Sequence, residues 1–155
     1  LEFRRVLFRS MRSVYLVSQA AHSALKASGR GSIVNISSLS ARFTFNTISV
    51  YAATKAAVTS MTRSFAREWA GDGIRVNCIE PFVIKTEFTK PLWGEEHRQR
   101  WFDHVTPMGR LGTPDELIGA IVFLASDASS WVTGQSIVID GGLTSGADWD
   151  SFAGM

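Results

Sequence analysis

"GSIVNISS", residues 31–38, is a short apolar run that follows one stretch of helical periodicity and precedes another. Alternation with period two sets Val34, Ile36 and Ser38 on one side of an extended strand and Ser37 on the other. Upstream, "MRSVYLVSQAAHSALKA" (11–27) has the spacing of a helix. Met11, Val14, Tyr15, Ser18, Ala21 and Leu25 line one face, and Leu16, Val17, Ala20 and Ala24 cover another. A helix apolar on two faces is expected to pack on two neighbours. Gly29 supplies its stop. Downstream, a second helix is expected from about Val50 to Ala70, ended by "GDG" at 71–73. Its Ala52, Ala53, Ala56, Ala57 and Ser60 form a smooth surface. "IRVNCI" (74–79) is the next strand, closed by Pro81, and "SIVID" (136–140) the last. "TPDE" (113–116) opens a third helix as a capping box, with Thr113 at N-cap and Glu116 at N3. Helices alternating with short apolar strands predict an α/β fold with a parallel sheet.

Residues 82–112 lack a regular period and carry Phe82, Phe88, Trp93, Trp101 and Phe102. Such a segment is either a substrate lid or a surface loop packed by its own aromatics. The 155 residues suffice for one domain, and 45% hydrophobic content with 19% charge fits a globular chain. Residues 1–10, "LEFRRVLFRS", carry the whole net charge of +2, and the rest is balanced at 13 basic and 13 acidic side chains. That neutrality argues against a nucleic-acid partner. No apolar run approaches the ~20 residues of a membrane span. The single cysteine, Cys78, excludes an internal disulfide, suits a cytoplasmic location and is expected to act as a small core hydrophobe. His22, His97 and His104 show no metal-ligand spacing, so no metal is expected. Asp140, before Gly141 and Gly142, is expected to be a turn residue.

"SVYAATKAAV" (49–58) sets Tyr51 and Lys55 four residues apart, hence on one helix face. A free phenol ionises near pH 10 and is a poor base at neutrality. A neighbouring ammonium favours the phenolate, and a phenol so tuned can exchange a proton with an alcohol, an effect of about 10²–10⁴ in rate.

From about Met11 to Leu143 the chain resembles the C-terminal half of a short-chain dehydrogenase/reductase. The resemblance rests on "YAATK", "GSIVNISS", "IRVNCIEP", "GRLGTPDEL", "FLASDASSWVTGQ" and "IVIDGG", in that order. It implies a Rossmann-like, doubly wound parallel sheet truncated to its C-terminal half. It also implies interconversion of an alcohol and a ketone or aldehyde with NAD or NADP. Tyr51 would be the general acid/base, and Lys55 would support it and hold the nicotinamide ribose. Ser38, thirteen residues before Tyr51, would bind the substrate oxygen. Pro81, Ile84 and Thr86 would border the nicotinamide, Ile84 by a backbone group and Thr86 by its hydroxyl. A homo-oligomer is implied for the full-length protein.

Three departures accompany the resemblance. Residues 1–10 are similar to a translated sequencing adapter and are expected to be a non-native leader, with the family segment at 11–146 and a tail at 147–155. Ser10 stands where the family has an asparagine that supports a proton-relay water, and Phe82 where it usually has glycine. No Gly-rich strand-to-helix turn for a pyrophosphate is present, since "GRG" at 29–31 precedes a strand. The strand at 32–37 is therefore expected to be an unprotected edge. Two functions follow: an oxidoreductase of which this segment is the acid/base half, or a non-catalytic segment acting at most in oligomerisation or interaction.

Overall fold

The computed structural model describes residues 7–146, with side chains from Ser10. The expected tail at 147–155 and residues 1–6 of the expected leader lie outside them. A wide helical turn at Leu7–Arg12 runs into helix α1 (Ser13–Ser28). Strand β1 (Gly31–Ile36), helix α2 (Ser49–Trp69) and strand β2 (Ile74–Pro81) follow. Helices α3 (Lys90–Trp93), α4 (Glu96–Val105) and α5 (Asp115–Ala125) precede strand β3 (Ser136–Ile139).

The three strands form one parallel sheet in the order β1-β2-β3. Gly31 to Ile36 pair with Ile74 to Ile79, and Cys78 to Pro81 pair with Ser136 to Ile139. β2 lies in the middle and is buried at every position except Arg75, as expected for a parallel strand covered on both faces. The parallel α/β architecture expected from the sequence is thus present, and β1 is an edge of the described sheet.

The core forms where α2 crosses the sheet. Phe65, Ala66, Trp69, Ile74 and Val76 are buried together, with Leu25, Ile33 and Met61 packed against them. Phe65 and Trp69, one turn apart, stack at 4.3 Å with a 6° interplanar angle. α1 joins them through Tyr15, 5.8 Å from Phe65, and His22, 4.9 Å from Trp69. His22 and Lys26 also bind Asp72 at 2.9 and 2.7 Å, tying α1 to the turn that ends α2. The helix reverses into β1 at Gly29, which has φ 68°. At Gly73, φ 73°, a Cβ would stand 3.0 Å from the carbonyl oxygen of Gly29, so the two turns approach because glycine occupies position 73.

Arg75 has a different task. It fans out to the carbonyls of Leu124 and Ser126 at 2.9 and 3.0 Å and to Ser129 Oγ at 2.7 Å. Those are the carbonyls a helix end leaves without partners, and a cation suits them. Buried Asn77 donates to the Val132 carbonyl and accepts from the Gln135 N–H, fixing the entry into β3.

Two expectations need correction. The second apolar face of α1 has no neighbour among the described residues: Leu16 is 48% and Val17 68% exposed. The segment 82–112 contains α3 and α4, which were not anticipated. α4 shows its inward side mainly through Phe102, too small an apolar stripe to register as a period. The helical run also begins at Leu7, inside the expected leader, and packs against α2.

At α5 the capping box is half formed. The Glu116 carboxylate accepts from the Thr113 N–H at 2.8 Å, but the Thr113 hydroxyl turns to that same carboxylate. Arg110 grips Glu116 through two bonds of 2.9 and 2.6 Å. That guanidinium, with the Thr113 N–H, holds the Glu116 carboxyl down at about 2. Asp140 is a turn residue as expected, accepting from the N–H groups of Gly142 and Thr144.

Candidate functional site

The carboxyl ends of β1 and β2 meet the first turns of α2, the place where open parallel sheets collect their ligands. At the end of β1 the two adjacent serines part company. Ser37 is buried and donates to the Lys55 carbonyl at 2.9 Å, and it shares a 2.8 Å bond with Thr59. It fastens the strand to α2 and has no freedom for a ligand. Ser38 is half-buried. Its Oγ accepts from the Ser40 N–H at 3.2 Å and from the Ser40 hydroxyl at 2.9 Å, capping the tight turn Leu39–Ala41. Its own hydroxyl proton remains free to donate.

Tyr51 and Lys55 lie on one face of α2, with the ammonium 5.7 Å from the centre of the phenol ring. Lys55 Nζ donates to the Ile36 carbonyl at 2.9 Å. Ser37 uses its N–H toward Ile79 of β2, so alternation turns Ile36 outward to the free edge of β1. Burial pushes the Lys55 ammonium below its ordinary range. Among the described residues, the Tyr51 hydroxyl makes no hydrogen bond to Ser38 or to Lys55. Tyr51 and Lys55 thus share a helix face, and Lys55 reaches the end of β1 two residues before Ser38.

Beside Lys55 an open groove of about 440 Å³ runs between α1 and the free edge of β1, lined among others by Ser10, Val14, Val17, Val34 and Ile36. A ribose and an aromatic ring suit its mixture of one ammonium, hydroxyls and aliphatic wall. A pyrophosphate does not: among the described residues no glycine-rich turn opens a helix onto it. Pro81 is buried in β2 at its pairing with Ile139. The Ile84 carbonyl accepts from the Thr89 hydroxyl, which leaves the Ile84 N–H as its backbone group for a ligand. The Thr86 hydroxyl is already engaged with Thr89, 3.0 Å from its Oγ1 and 3.2 Å from its N–H.

Two features beneath this site were not anticipated. The first is Glu80, fully buried in β2, which accepts from Thr59 at 2.9 Å and from the Nε of Arg42. A line of polar contacts therefore runs from Ser37, whose one proton is shared between the Lys55 carbonyl and Thr59 Oγ1, through Thr59 to Glu80 and on to Arg42, in the segment between Ser38 and Tyr51. The signal was available: an acid inside an apolar strand demands a cationic or hydrogen-bonding partner. The second is Thr47, a β-branched residue at φ 69°, two positions before α2 begins. Cys78, fully buried, has its thiol pushed up by burial and lies 3.0 Å from Ser136 Oγ, consistent with a packing role.

The comparisons agree on kinship. The family profile described as enoyl-(acyl carrier protein) reductase matches residues 1–144. A tropinone reductase homolog from Arabidopsis thaliana is 42% identical over 92% of this chain and 54% of its own length. The crystal structure of a gluconate 5-dehydrogenase from Burkholderia cenocepacia, in complex with NADP and tartrate, superposes with a TM-score of 0.91. It is 38% identical, over 94% of this chain and 57% of that one. A short-chain type dehydrogenase/reductase from Mycobacterium ulcerans gives a TM-score of 0.88 at 31% identity, over 96% and 55%. The chain thus spans about half the length of the relatives it matches. With its parallel sheet and these matches, the chain belongs to the short-chain dehydrogenase/reductase family.

Proposed function

We propose that this segment is the acid/base half of an NAD(P)-dependent oxidoreductase that interconverts an alcohol and a ketone or aldehyde. The observation that supports the reading is the pairing of Tyr51 with Lys55 on one face of α2, with Lys55 on the Ile36 carbonyl at the end of β1 and Ser37 diverted into the framework, which leaves Ser38 for the substrate. Nicotinamide would supply or accept the hydride. Ser38 donates to the carbonyl oxygen and holds it in place. Tyr51 delivers the proton to that oxygen in reduction and removes it in oxidation. Lys55, its ammonium 5.7 Å from the centre of the phenol ring, would support Tyr51 and hold the ribose. The Ile84 N–H and Thr86 would border the carboxamide, Thr86 after exchanging its bond to Thr89. Ser10, the position matching the family's relay asparagine, lines the same groove as Lys55.

The pyrophosphate turn belongs to the half of the fold this segment does not contain, so the segment by itself is expected to bind neither NADH nor NADPH measurably. Tight binding of either by the 155 residues would contradict that. The test of activity uses a chain of its relatives' length that contains this segment. Ketone-dependent consumption of NAD(P)H should fall about 10²-fold in Ser38→Ala and in Lys55→Met. Full turnover by both variants would overturn the assignment. We place the protein in a reducing compartment such as the cytoplasm, consistent with the lone buried thiol. No helix among the described residues is long and apolar enough to cross a membrane.

A second reading, self-association, is favoured by one surface. α5 exposes Ile118 (52%), Val122 (57%) and Phe123 (39%), and Trp131 nearby in sequence is 98% exposed. A second copy covering that face would explain them. Sedimentation of Val122→Glu against the parent distinguishes a dimer that dissociates from one that never formed.

A further inference from the structure

Five aromatic rings run in contact across the front of the site. Phe43 meets Phe45 edge to face at 5.3 Å. Phe45 stacks on Phe82 at 5.7 Å, and Phe82 meets the edge of Phe102 at 5.7 Å. Phe102 in turn contacts Trp101 at 5.0 Å. The run draws on three separate segments. Phe43 and Phe45 lie on the stretch that joins Ser38 to Tyr51. Phe82 follows β2, and Phe102 and Trp101 come from α4. The pairing of β1 with β2 ends at Ile36 and Ile79, with Ser38 two residues beyond the first and Phe82 three beyond the second, so both follow the carboxyl end of the same strand pair.

The rings are not simply core. Phe102 is 7% exposed and anchors the run, but Phe43 and Trp101 are 41% and 48% exposed. Half-exposed aromatic faces in a row, backed by a buried anchor, form a surface that a flat apolar ligand can cover. The cations around this sheet end are committed elsewhere. Arg42 is spent on Glu80 and Arg110 on Glu116, and Lys85 sits 5.6 Å over the Trp93 ring. Lys55 is held by the Ile36 carbonyl. Arg42 and Lys55 keep N–H donors beyond these contacts, but the run of rings itself presents no cation, so a ring system covers it where a carboxylate finds no partner on it.

We propose that this aromatic run is the substrate wall, with Phe82 as its keystone, and that it selects a ketone or secondary alcohol bearing an apolar ring over a polyhydroxylated acid. The inference rests on the oxidoreductase reading for the reacting group but not for the binding surface. Phe82 joins the rings of the Ser38–Tyr51 stretch to those of α4, so its removal cuts the wall in two.

The test needs neither cofactor nor turnover. The 155-residue chain, labelled with fluorophenylalanine, is titrated with 2-tetralone and, separately, with D-gluconate while the fluorine resonances of Phe45 and Phe82 are followed. Tetralone should shift both in a saturable way, with gluconate at least about tenfold weaker. Phe82→Gly should weaken tetralone about tenfold, because it removes one stacked and one edge contact. Phe82→Leu fills the space and guards against a variant that fails to fold; it should weaken tetralone by a smaller factor, read at Phe45. Equal affinity for the two probes, no saturable shift at Phe45 and Phe82, or tetralone binding unchanged in both variants would overturn the proposal. If tetralone binds here while the longer chain turns over no carbonyl, the oxidoreductase reading fails alone and the wall stands.

Discussion

The two sides of the site are built by different means. The side that would do chemistry lies on β1 and α2, and regular backbone geometry sets it: strand alternation separates Ser37 from Ser38, and helical spacing aligns Tyr51 with Lys55. A buried polar chain through Ser37, Thr59, Glu80 and Arg42 then fixes strand to helix. The side that would choose the substrate lies on the stretch after Ser38, on Phe82 and on α4. Its segments meet one another ring against ring. Hydrogen bonds are directional, so the first side tolerates little displacement; aromatic contacts are broad, so the second can be recomposed without disturbing the first.

That contrast can be broken most sharply at Arg42. Its removal in Arg42→Met leaves Glu80 buried without its cation, and the chain should lose about 3 kcal/mol of unfolding free energy in urea, the lower end for a half-exposed partner. The double variant Arg42→Met, Glu80→Leu should recover most of it. A double variant no more stable than the single one would show that the pair does not hold the polar side together. Thr47 probes the hinge between the two sides. Asparagine accepts a positive φ more readily than a β-branched residue, so Thr47→Asn should raise stability by about 1 kcal/mol in the same assay. A loss instead would mean that the threonine side chain contributes more than its backbone costs.

The smallest effect concerns pH and lies away from both sides, at α5. The Glu116 carboxyl is held at about 2 when folded and reverts toward its ordinary value of 4.5 when unfolded. Its folded value is depressed, so the stability it contributes is complete above about pH 4.5 and is lost as pH falls toward 2. Arg110→Ala should flatten that part of the stability profile. An unchanged slope between pH 4.5 and 2 would remove the Arg110–Glu116 pair from the account.

The legibility of these regions followed the same division. The shared helix face of Tyr51 and Lys55 and the opposite directions of Ser37 and Ser38 were legible because helical pitch and alternation are local properties. So were the three parallel strands and the helices at 13–28, 49–69 and 115–125, within a few residues. α4 was not legible, because a single turn of apolar residues inside a charged sequence carries no measurable period. Neither were the Phe45–Phe82–Phe102 contacts, which join residues far apart in the chain. Glu80 and Arg42 stood in plain view as an acid in an apolar strand and a base in a loop, but nothing local links residues 38 positions apart. The free second face of α1, with Leu16 and Val17 exposed, was misjudged for a related reason: an apolar stripe calls for a neighbour without saying that the described chain contains it.

The most direct measurement is the rate of ketone reduction by Tyr51→Phe in a chain of its relatives' length that contains this segment. The substitution removes one oxygen and little else. The account predicts a fall of at least about 10²-fold in kcat with the substrate still bound; a variant reducing the ketone at the parent rate would contradict it.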